Sequence, residues 1–346
     1  MEELELNDEM TDIISVDNLV KVYSDGTKAV DGISFDVEEG EFFGFLGPNG
    51  AGKSTTIKVL ATLLGKTSGS AVVGGYDIDR DAKKIRQIIG VQSQETVVDS
   101  DLTGRGNLMF QGHLQRMRGQ VLEKRVDELL NLMELSDAAD KKARQYSGGM
   151  KRRLALAAAL IHGPKIIFLD EPTTGLDPQS RARLWEYLES LNKDEGITIF
   201  LTTQYLEEAD RLCRQLSIID RGQIVVSDSP TELKQQIGGE SIILSLATNT
   251  DEDAKEKSNK ILMNIPGVTK TVAADRGFVV YAKNASHLVP EIAKLFDDNN
   301  IALDSINLSS PSLDDVFLQH TGRRIRQEEL SKSTSSSKVA GVRGYG

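Results

Sequence analysis

The sequence predicts two domains of different fold class, a larger α/β domain followed by a smaller α+β domain. A glycine-rich loop at residues 47–54 joins an apolar strand to a helical pattern, which is typical of an α/β domain. Continuous apolar or β-branched runs at 165–169 and 197–202, each preceded by a helical segment, indicate buried parallel strands. After residue 237 the order becomes strand, helix, two strands, helix and strand, which indicates an α+β unit.

The composition limits the classes of function that fit this chain. Its 346 residues carry 41 Lys and Arg against 52 Asp and Glu, and the net charge of −11 argues against nucleic acid as the main partner. Cys213 is the only cysteine, which excludes an internal disulfide. No apolar run approaches the roughly 20 residues of a membrane-spanning helix, and the N-terminus lacks the features of a secretory signal. We therefore expect any membrane role to come through a partner.

The first domain is predicted over residues 14–237, after an acidic N-terminal extension at 1–13. Alternating apolar stretches at 14–22 and 33–37 are typical of antiparallel strands and predict an edge layer ahead of the glycine-rich loop. Further along, a charged stretch without strand-like runs predicts a helical insert over about 95–160.

The second domain is predicted over residues 238–321. Its order of strands and helices is that of a ferredoxin-like split β-α-β unit, and a final helix at 312–319 is expected to pack back onto it. The tail at 322–346 is rich in Ser, Lys, Arg and Gly, so we expect it to be disordered. A passive solvated tail is favoured there over one that is attracted to an anionic membrane surface.

The glycine-rich loop predicts a phosphate-binding site. Its glycines let backbone N–H groups turn inward around an anion, Lys53 reaches the outer phosphates, and the Ser54 hydroxyl is a ligand for Mg²⁺. The sequence therefore predicts that the chain binds a nucleoside triphosphate together with Mg²⁺. The predicted nucleotide-binding residues of the loop and of the helix start are Gly47, Pro48, Asn49, Gly50, Ala51, Gly52, Lys53, Ser54 and Thr55.

Two carboxylates end the apolar strand at 165–169. Asp170 is expected to hold Mg²⁺ through its water shell, and Glu171 is expected to polarise the water that attacks the γ-phosphate. The pair predicts hydrolysis of the bound nucleotide.

A second anion site is predicted at the start of another helix. Ser147 is a natural N-cap for an Ala- and Leu-rich helix, and Gly148 and Gly149 expose N–H donors at the positive end of the helix dipole. The cations at 151–153 crowd the first turn, where the dipole disfavours them. We interpret this as a site where an incoming anion compensates the positive charge.

In this combination the sequence resembles the ATP-binding cassette (ABC) family. The phosphate loop, the Ser147-Gly148-Gly149 motif, Asp170-Glu171 and the turn Gly175-Leu176-Asp177-Pro178 occur in that family's order and approximate spacing. The resemblance covers residues 14 to about 237. It implies the P-loop NTPase fold of an ABC ATPase, with a RecA-like core, an antiparallel β edge layer and a helical subdomain.

The resemblance also implies that the nucleotide is ATP and that the chain works as a head-to-tail dimer. In such a dimer ATP lies between the phosphate loop of one subunit and Ser147, Gly148 and Gly149 of the other. Because this chain contains one cassette, we expect it to pair with a second copy of itself, with Asp177 coupling the two sites across the interface.

Further roles follow from the resemblance. Tyr23 corresponds to the aromatic residue that stacks on adenine, and Gln94 to the glutamine that contacts Mg²⁺, although Gln92 is close enough to remain an alternative. Gln204 stands where the family usually has histidine. Its amide can donate a hydrogen bond but cannot carry a proton, so we assign it positioning and leave general-base work to Glu171. The stretch 101–108 lies where this family docks its membrane subunit.

Gln204, the stretch Leu102-Thr103-Gly104-Arg105 and the segment at 313–318 resemble the daunorubicin/doxorubicin-resistance branch of drug-exporter ATPases. This implies an ATP-hydrolysing subunit at the cytoplasmic face of the cell membrane, working with a separate integral-membrane permease. The alternatives are a soluble ABC ATPase that acts on ribosomes or DNA, which the acidic charge disfavours, and an ATP-responsive regulator, which the intact Asp170 and Glu171 disfavour.

Overall fold

The computed structural model describes residues 12–94, 98–237, 241–247, 252–274, 277–282, 285–309 and 311–321. The predicted tail at 322–346 and residues 1–11 of the predicted N-terminal extension lie outside the described residues. The chain divides into two compact units between Ser229 and Pro230.

The first unit combines strands and helices in alternation. Its strands are β1 (Asp12–Val22), β2 (Lys28–Glu38), β3 (Phe42–Leu46), β4 (Ser68–Val73), β5 (Tyr76–Asp77), β6 (Ile89–Gln92), β7 (Ile166–Asp170), β8 (Thr198–Thr203), β9 (Gln215–Asp220) and β10 (Gln223–Asp228). Its helices are α1 (Lys53–Leu60), α2 (Ala82–Ile88), α3 (Gly104–Leu114), α4 (Gly119–Leu132), α5 (Gly148–Leu160), α6 (Pro178–Glu195) and α7 (Leu206–Leu212).

These strands form two sheets. The larger has the order β10-β9-β3-β8-β7-β6, in which the strands from β9 to β6 pair in parallel and β10 pairs antiparallel with β9. The smaller, β2-β1-β4-β5, is antiparallel throughout and is the predicted edge layer, extended by β4 and β5, which the sequence analysis missed. The predicted α/β fold class is confirmed.

Phenylalanines join the two sheets in a common core. Phe200 on β8 is fully buried, and the ring centroids of Phe35, Phe43, Phe45 and Phe168 lie 5.3–5.8 Å from its own. Tilted aromatic pairs at such distances add to the stabilisation from burial alone. The rings hold β3, β7 and β8 in place, so the loops that follow these strands start from fixed positions.

Helices α3, α4 and α5 occupy the region of the predicted insert. The Thr103 hydroxyl caps α3 by accepting a hydrogen bond from the backbone N–H of Gly106 at 2.9 Å. On the amphipathic helix α4, Leu122, Val126, Leu129 and Leu130 are buried.

The second unit is a β-α-β-β-α-β arrangement with an extra helix at each end. Its elements are α8 (Pro230–Gln236), β11 (Ser241–Leu246), α9 (Glu252–Met263), β12 (Val268–Ala274), β13 (Gly277–Ala282), α10 (Ala285–Asp298), β14 (Leu303–Ser309) and α11 (Leu313–Thr321). The antiparallel sheet has the order β12-β13-β11-β14, as a ferredoxin-like unit requires. Its core includes Ile242, Val280 and Phe296.

The boundary between the units lies before helix α8, eight residues earlier than predicted. The predicted boundary at residue 237 places this helix in the first domain, but α8 packs against α11 and belongs to the second unit. The sequence pattern could not reveal this, because the packing partner lies at the other end of that unit.

Candidate nucleotide-binding site

The phosphate loop leaves the end of β3 and enters α1 at Lys53. The backbone N–H of Gly47 donates to the carbonyl of Thr203 at 3.2 Å, which fastens the loop to the end of β8. A Cβ at Gly47 would lie 2.2 Å from the carbonyl oxygen of Ile219, and one at Gly52, whose φ is +110°, would lie 2.3 Å from that of Ala29. Both positions therefore require glycine for steric reasons.

Lys53 lies inside the loop and forms a buried ion pair. Its Nζ is 3.1 Å from Glu171 Oε1, and the two side chains are only 4% and 5% exposed. The same Nζ donates to the carbonyls of Gly47 at 2.7 Å and Pro48 at 3.1 Å. The lysine is thus aimed at the space that the loop encloses, and it links the loop directly to the strand that carries the carboxylates.

Ser54 and Asp170 meet at the end of β7. Asp170 Oδ1 accepts hydrogen bonds from the Ser54 hydroxyl at 2.9 Å and from the Thr202 hydroxyl at 2.7 Å. A hydroxyl and a carboxylate side by side are oxygen donors of the kind that Mg²⁺ prefers. Among the described residues no group of three His, Cys, Asp or Glu could hold a metal by itself.

Glu171 has an unusual backbone conformation. Its φ is +49°, and its backbone N–H donates to the carbonyl of Thr202 at 3.0 Å. A left-handed conformation is costly for a side chain of this size, so it persists only where the surroundings impose it. The glutamate therefore turns back to face Lys53 instead of continuing along the strand.

The two glutamines that the sequence left open as candidates lie in different surroundings. Gln94 Nε2 donates to Glu171 Oε2 at 3.2 Å, so Gln94 lies at the carboxylates. Gln92 is the last residue of β6 and is buried, and neither polar atom of its side chain has a hydrogen-bond partner among the described residues. It lines a groove beside α5.

Arg152 corrects the interpretation of the basic helix start. It is 6% exposed, and its guanidinium donates to the carbonyls of Gln94 at 2.7 Å and Glu171 at 3.2 Å. Burial lowers its pKa, against the effect of Asp170 and Glu171. The sequence analysis did not assign Arg152 this role, because only its tertiary contacts show it. Arg153 is likewise satisfied internally, by the carbonyl of Met133 and the carboxylate of Glu134.

The second group of predicted residues lies at two neighbouring helix starts. Ser147 and Gly148 are exposed at the start of α5, where the Ser147 hydroxyl accepts from the backbone N–H of Met150 at 3.2 Å. Asp177 caps α6 by accepting from the backbone N–H and the hydroxyl of Ser180, and these bonds lower its pKa. A Cβ on Gly149 would lie 3.1 Å from the Ser180 hydroxyl, so the two caps are adjacent.

The remaining predicted residues lie around the phosphate loop. The Tyr23 hydroxyl is 3.2 Å from the Thr55 hydroxyl, and its ring is partly exposed beside the start of α1. Gln204 directly follows β8, and its Oε1 is buried without a hydrogen-bond partner among the described residues.

Comparison with known proteins identifies the class of this fold and site. The profile described as ABC transporter matches residues 30–174, and that of the C-terminal domain of DrrA1-3-like ATP-binding proteins matches residues 229–321. The chain is 40% identical over 317 residues to the daunorubicin resistance ATP-binding protein DrrA2 of Streptomyces coeruleorubidus, covering 88% of this chain and 94% of that protein. It is 38% identical over 339 residues to the daunorubicin/doxorubicin resistance ATP-binding protein DrrA of Streptomyces peucetius, covering 97% and 100%.

A solved structure supports the same assignment. The dimeric, post-hydrolysis structure of the ATP-binding cassette MJ0796 bound to ADP and Pi matches with a TM-score of 0.58 at 27% identity, covering 62% of this chain and 98% of that one. The chain therefore belongs to the ABC transporter family and is an ATP-binding subunit that hydrolyses ATP. Within the family, its C-terminal domain and its full-length relatives place it in the branch of daunorubicin/doxorubicin-resistance ATP-binding proteins. None of the helices described is both long and apolar enough to span a bilayer.

The buried ion pair generates a stability prediction. Lys53→Met should lower the free energy of unfolding by about 3 kcal/mol, because it leaves the Glu171 carboxylate buried without its countercharge. Adding Glu171→Gln should recover a large part of that loss. Urea unfolding without added nucleotide, followed by the fluorescence of Trp185, the only tryptophan, measures both changes.

Lys58→Met is the matched control, since Lys58 lies on the same helix but is exposed, and it should change stability by less than about 0.5 kcal/mol. If the losses from Lys53→Met and Glu171→Gln simply add, the two charges do not depend on each other as described.

Proposed function

We propose that two copies of this chain bind two MgATP head to tail and hydrolyse them to drive a separate integral-membrane permease. The permease would export a drug or another hydrophobic or amphipathic compound, with this subunit peripheral at the cytoplasmic face of the cell membrane. One observation supports the proposed dimer above all. The groups that hold and cleave a phosphate, Lys53, Ser54 and Glu171, form one cluster, whereas Ser147 and Asp177 form another, exposed at two adjacent helix starts.

The exposed cluster suits a phosphate that arrives on another copy. The exposed start of α5 and the positive end of its dipole favour an anion there. Arg152 and Arg153 are paired within the chain, so they add little to this attraction. The DrrA relatives are resistance proteins, which supports drug export by the transporter that this subunit serves.

The residues present fit Mg²⁺ and a hydrolytic role. Ser54 and Asp170 would hold the ion, with Gln94 beside them, and the ion would neutralise charge on the β- and γ-phosphates. Lys53 would exchange its ion pair with Glu171 for contacts with the phosphates. That exchange would free the Glu171 carboxylate to accept a proton from the attacking water. Gln204 would orient this water or the γ-phosphate through its amide N–H.

The permease would dock at a groove beside β6. The groove has a volume of about 280 Å³ and is lined by Gln92, Gln111, Ala155, Ala159 and His162, among others. On α3, next to Gln111, the large side chains of Phe110 and Leu114 are exposed. A helix from a cytoplasmic segment of the permease would cover these residues. The groove adjoins the segment that leads to Gln94, and Gln94 donates to Glu171. Docking of the permease would therefore be mechanically linked to the carboxylates of the site.

The base assignment predicts a trapped dimer. Glu171→Gln should retain ATP binding but lower turnover at least roughly a hundredfold, because the amide cannot accept the proton of the attacking water. An ATP-bound dimer should then accumulate in size-exclusion chromatography with MgATP. Glu186→Gln, an exposed position on α6, serves as control and should hydrolyse ATP normally. Normal turnover by the Glu171→Gln protein would refute the assignment.

The position after β8 generates a second prediction. Gln204→Ala should lower kcat by about tenfold, since it removes a hydrogen bond that we assign to the water or the γ-phosphate. Gln204→His should retain most of the activity, because histidine also offers a ring N–H. Steady-state ATPase assays measure both, and full activity in the alanine variant would show that the side chain is incidental.

A further inference from the structure

Glu208 is a buried carboxyl for which the proposed mechanism has no use. It lies in the first turn of α7, is fully buried, and its Oε1 accepts a hydrogen bond from the indole N–H of Trp185 at 2.9 Å. Burial raises its pKa, while the nearby Thr203, Trp185 and Thr173 side chains act in the opposite direction. By hydrogen-bond geometry Oε2 has no partner among the described residues, although Thr173 and Thr203 lie close to the carboxyl.

Together with three neighbours, Glu208 joins α7 to α6. The guanidinium carbon of Arg181, on α6, lies 4.3 Å from the centre of the Tyr205 ring, at the cap of α7. We call Arg181, Trp185, Tyr205 and Glu208 the α6–α7 clamp. The clamp thus contains one hydrogen bond between α6 and α7 and one cation–π contact between α6 and the cap residue of α7.

The clamp fixes the chain on one side of Gln204, and the sheet fixes it on the other. Thr203 pairs with Leu46 of β3, and its carbonyl accepts from Gly47 in the phosphate loop at 3.2 Å. Tyr205 donates its backbone N–H to the Thr203 hydroxyl at 2.9 Å and stacks on Arg181. The backbone at Gln204 is therefore held between one residue tied to the phosphate loop and another tied to α6.

The other end of the clamp leads to the exposed cluster. Arg181 donates its backbone N–H to the carbonyl of Asp177 at 3.0 Å, so it lies one helical turn beyond the cap of α6. A displacement of the Asp177 turn would move Arg181 with it, because both belong to the same rigid helix. The clamp connects a residue exposed at a helix start with the residue that follows β8.

We propose that Glu208 is a positioning residue for ATP hydrolysis, which acts with Trp185, Arg181 and Tyr205 to hold Gln204 in its working orientation and to tie it to the Asp177 turn. The inference rests on the proposed function, in which Gln204 contacts the water or the γ-phosphate and Asp177 faces the second copy. A leucine would fill the space of Glu208 but would leave the Trp185 N–H buried without an acceptor. The Glu208 carboxyl therefore supplies a hydrogen-bond acceptor for the Trp185 N–H, which an apolar side chain of the same size would not provide.

A double-mutant cycle between Glu208 and Gln204 tests this. Glu208→Leu should lower kcat roughly tenfold, as a misplaced group does, while the KM for ATP stays within about twofold because the phosphate loop is intact. In the Gln204→Ala background the same substitution should have no further effect, since the group that it misplaces is already gone. Glu208→Gln should retain most of the activity, because its amide oxygen can still accept from Trp185.

The controls separate this role from a general effect on folding. Glu207→Gln changes the exposed neighbour and should leave kcat unchanged. If Glu208→Leu does not fold, the cycle is run with Trp185→Phe, which removes the N–H donor together with part of the indole but keeps an aromatic side chain.

Equal losses of kcat in both backgrounds would mean a purely structural role and would overturn this inference alone. An unchanged kcat for Glu208→Leu would overturn it as well. A Gln204→Ala protein with full activity would instead refute the proposed role of Gln204, and the inference with it.

Discussion

The parallel pairing of β3, β8 and β7 is the constraint on which the site depends. Leu46 pairs with Thr203 and Thr202 with Asp170, so three loops leave the same edge of one sheet within a few ångströms. Neighbouring carboxyl ends of parallel strands generally form ligand sites for this reason. The phenylalanine core around Phe200 keeps these strands in register. The chemistry of the site then follows from the residues at the carboxyl ends of these strands.

In the proposed mechanism, the buried pair of Lys53 and Glu171 couples nucleotide binding to release of the base. An uncompensated charge at that depth is costly, so each side chain needs the other until a new partner arrives. A phosphate can replace the carboxylate at Lys53, and in our account this replacement releases Glu171. Binding of the nucleotide and preparation of the base would then be one event. The left-handed backbone of Glu171 and the guanidinium of Arg152 beneath it hold the carboxylate at the right place for that exchange.

The sequence predicted those features that depend on local chemistry. Apolar runs gave the buried strands, and the loop between β3 and α1 could be assigned because glycines, a lysine and a serine each have a local physical reason to be there. What could not be predicted depends on tertiary contacts. Spacing alone could not separate Gln92 from Gln94, since only the path of the chain after β6 brings Gln94 to Glu171. Strand β4, with the sequence Ser-Gly-Ser-Ala-Val-Val, lacks the alternation that reveals a strand.

The central claim is that each ATP site needs two chains, and mixing two inactive variants tests it most directly. Lys53→Met removes the proposed phosphate contact, and Ser147→Asp keeps a side chain able to cap α5 but places a negative charge where the γ-phosphate would lie. Each variant alone should be inactive. An equal mixture should regain about a quarter of the wild-type ATPase rate, because about half of the dimers contain both variants and each of these has one intact composite site. A mixture as inactive as its components, or wild-type turnover by Ser147→Asp alone, would contradict the account.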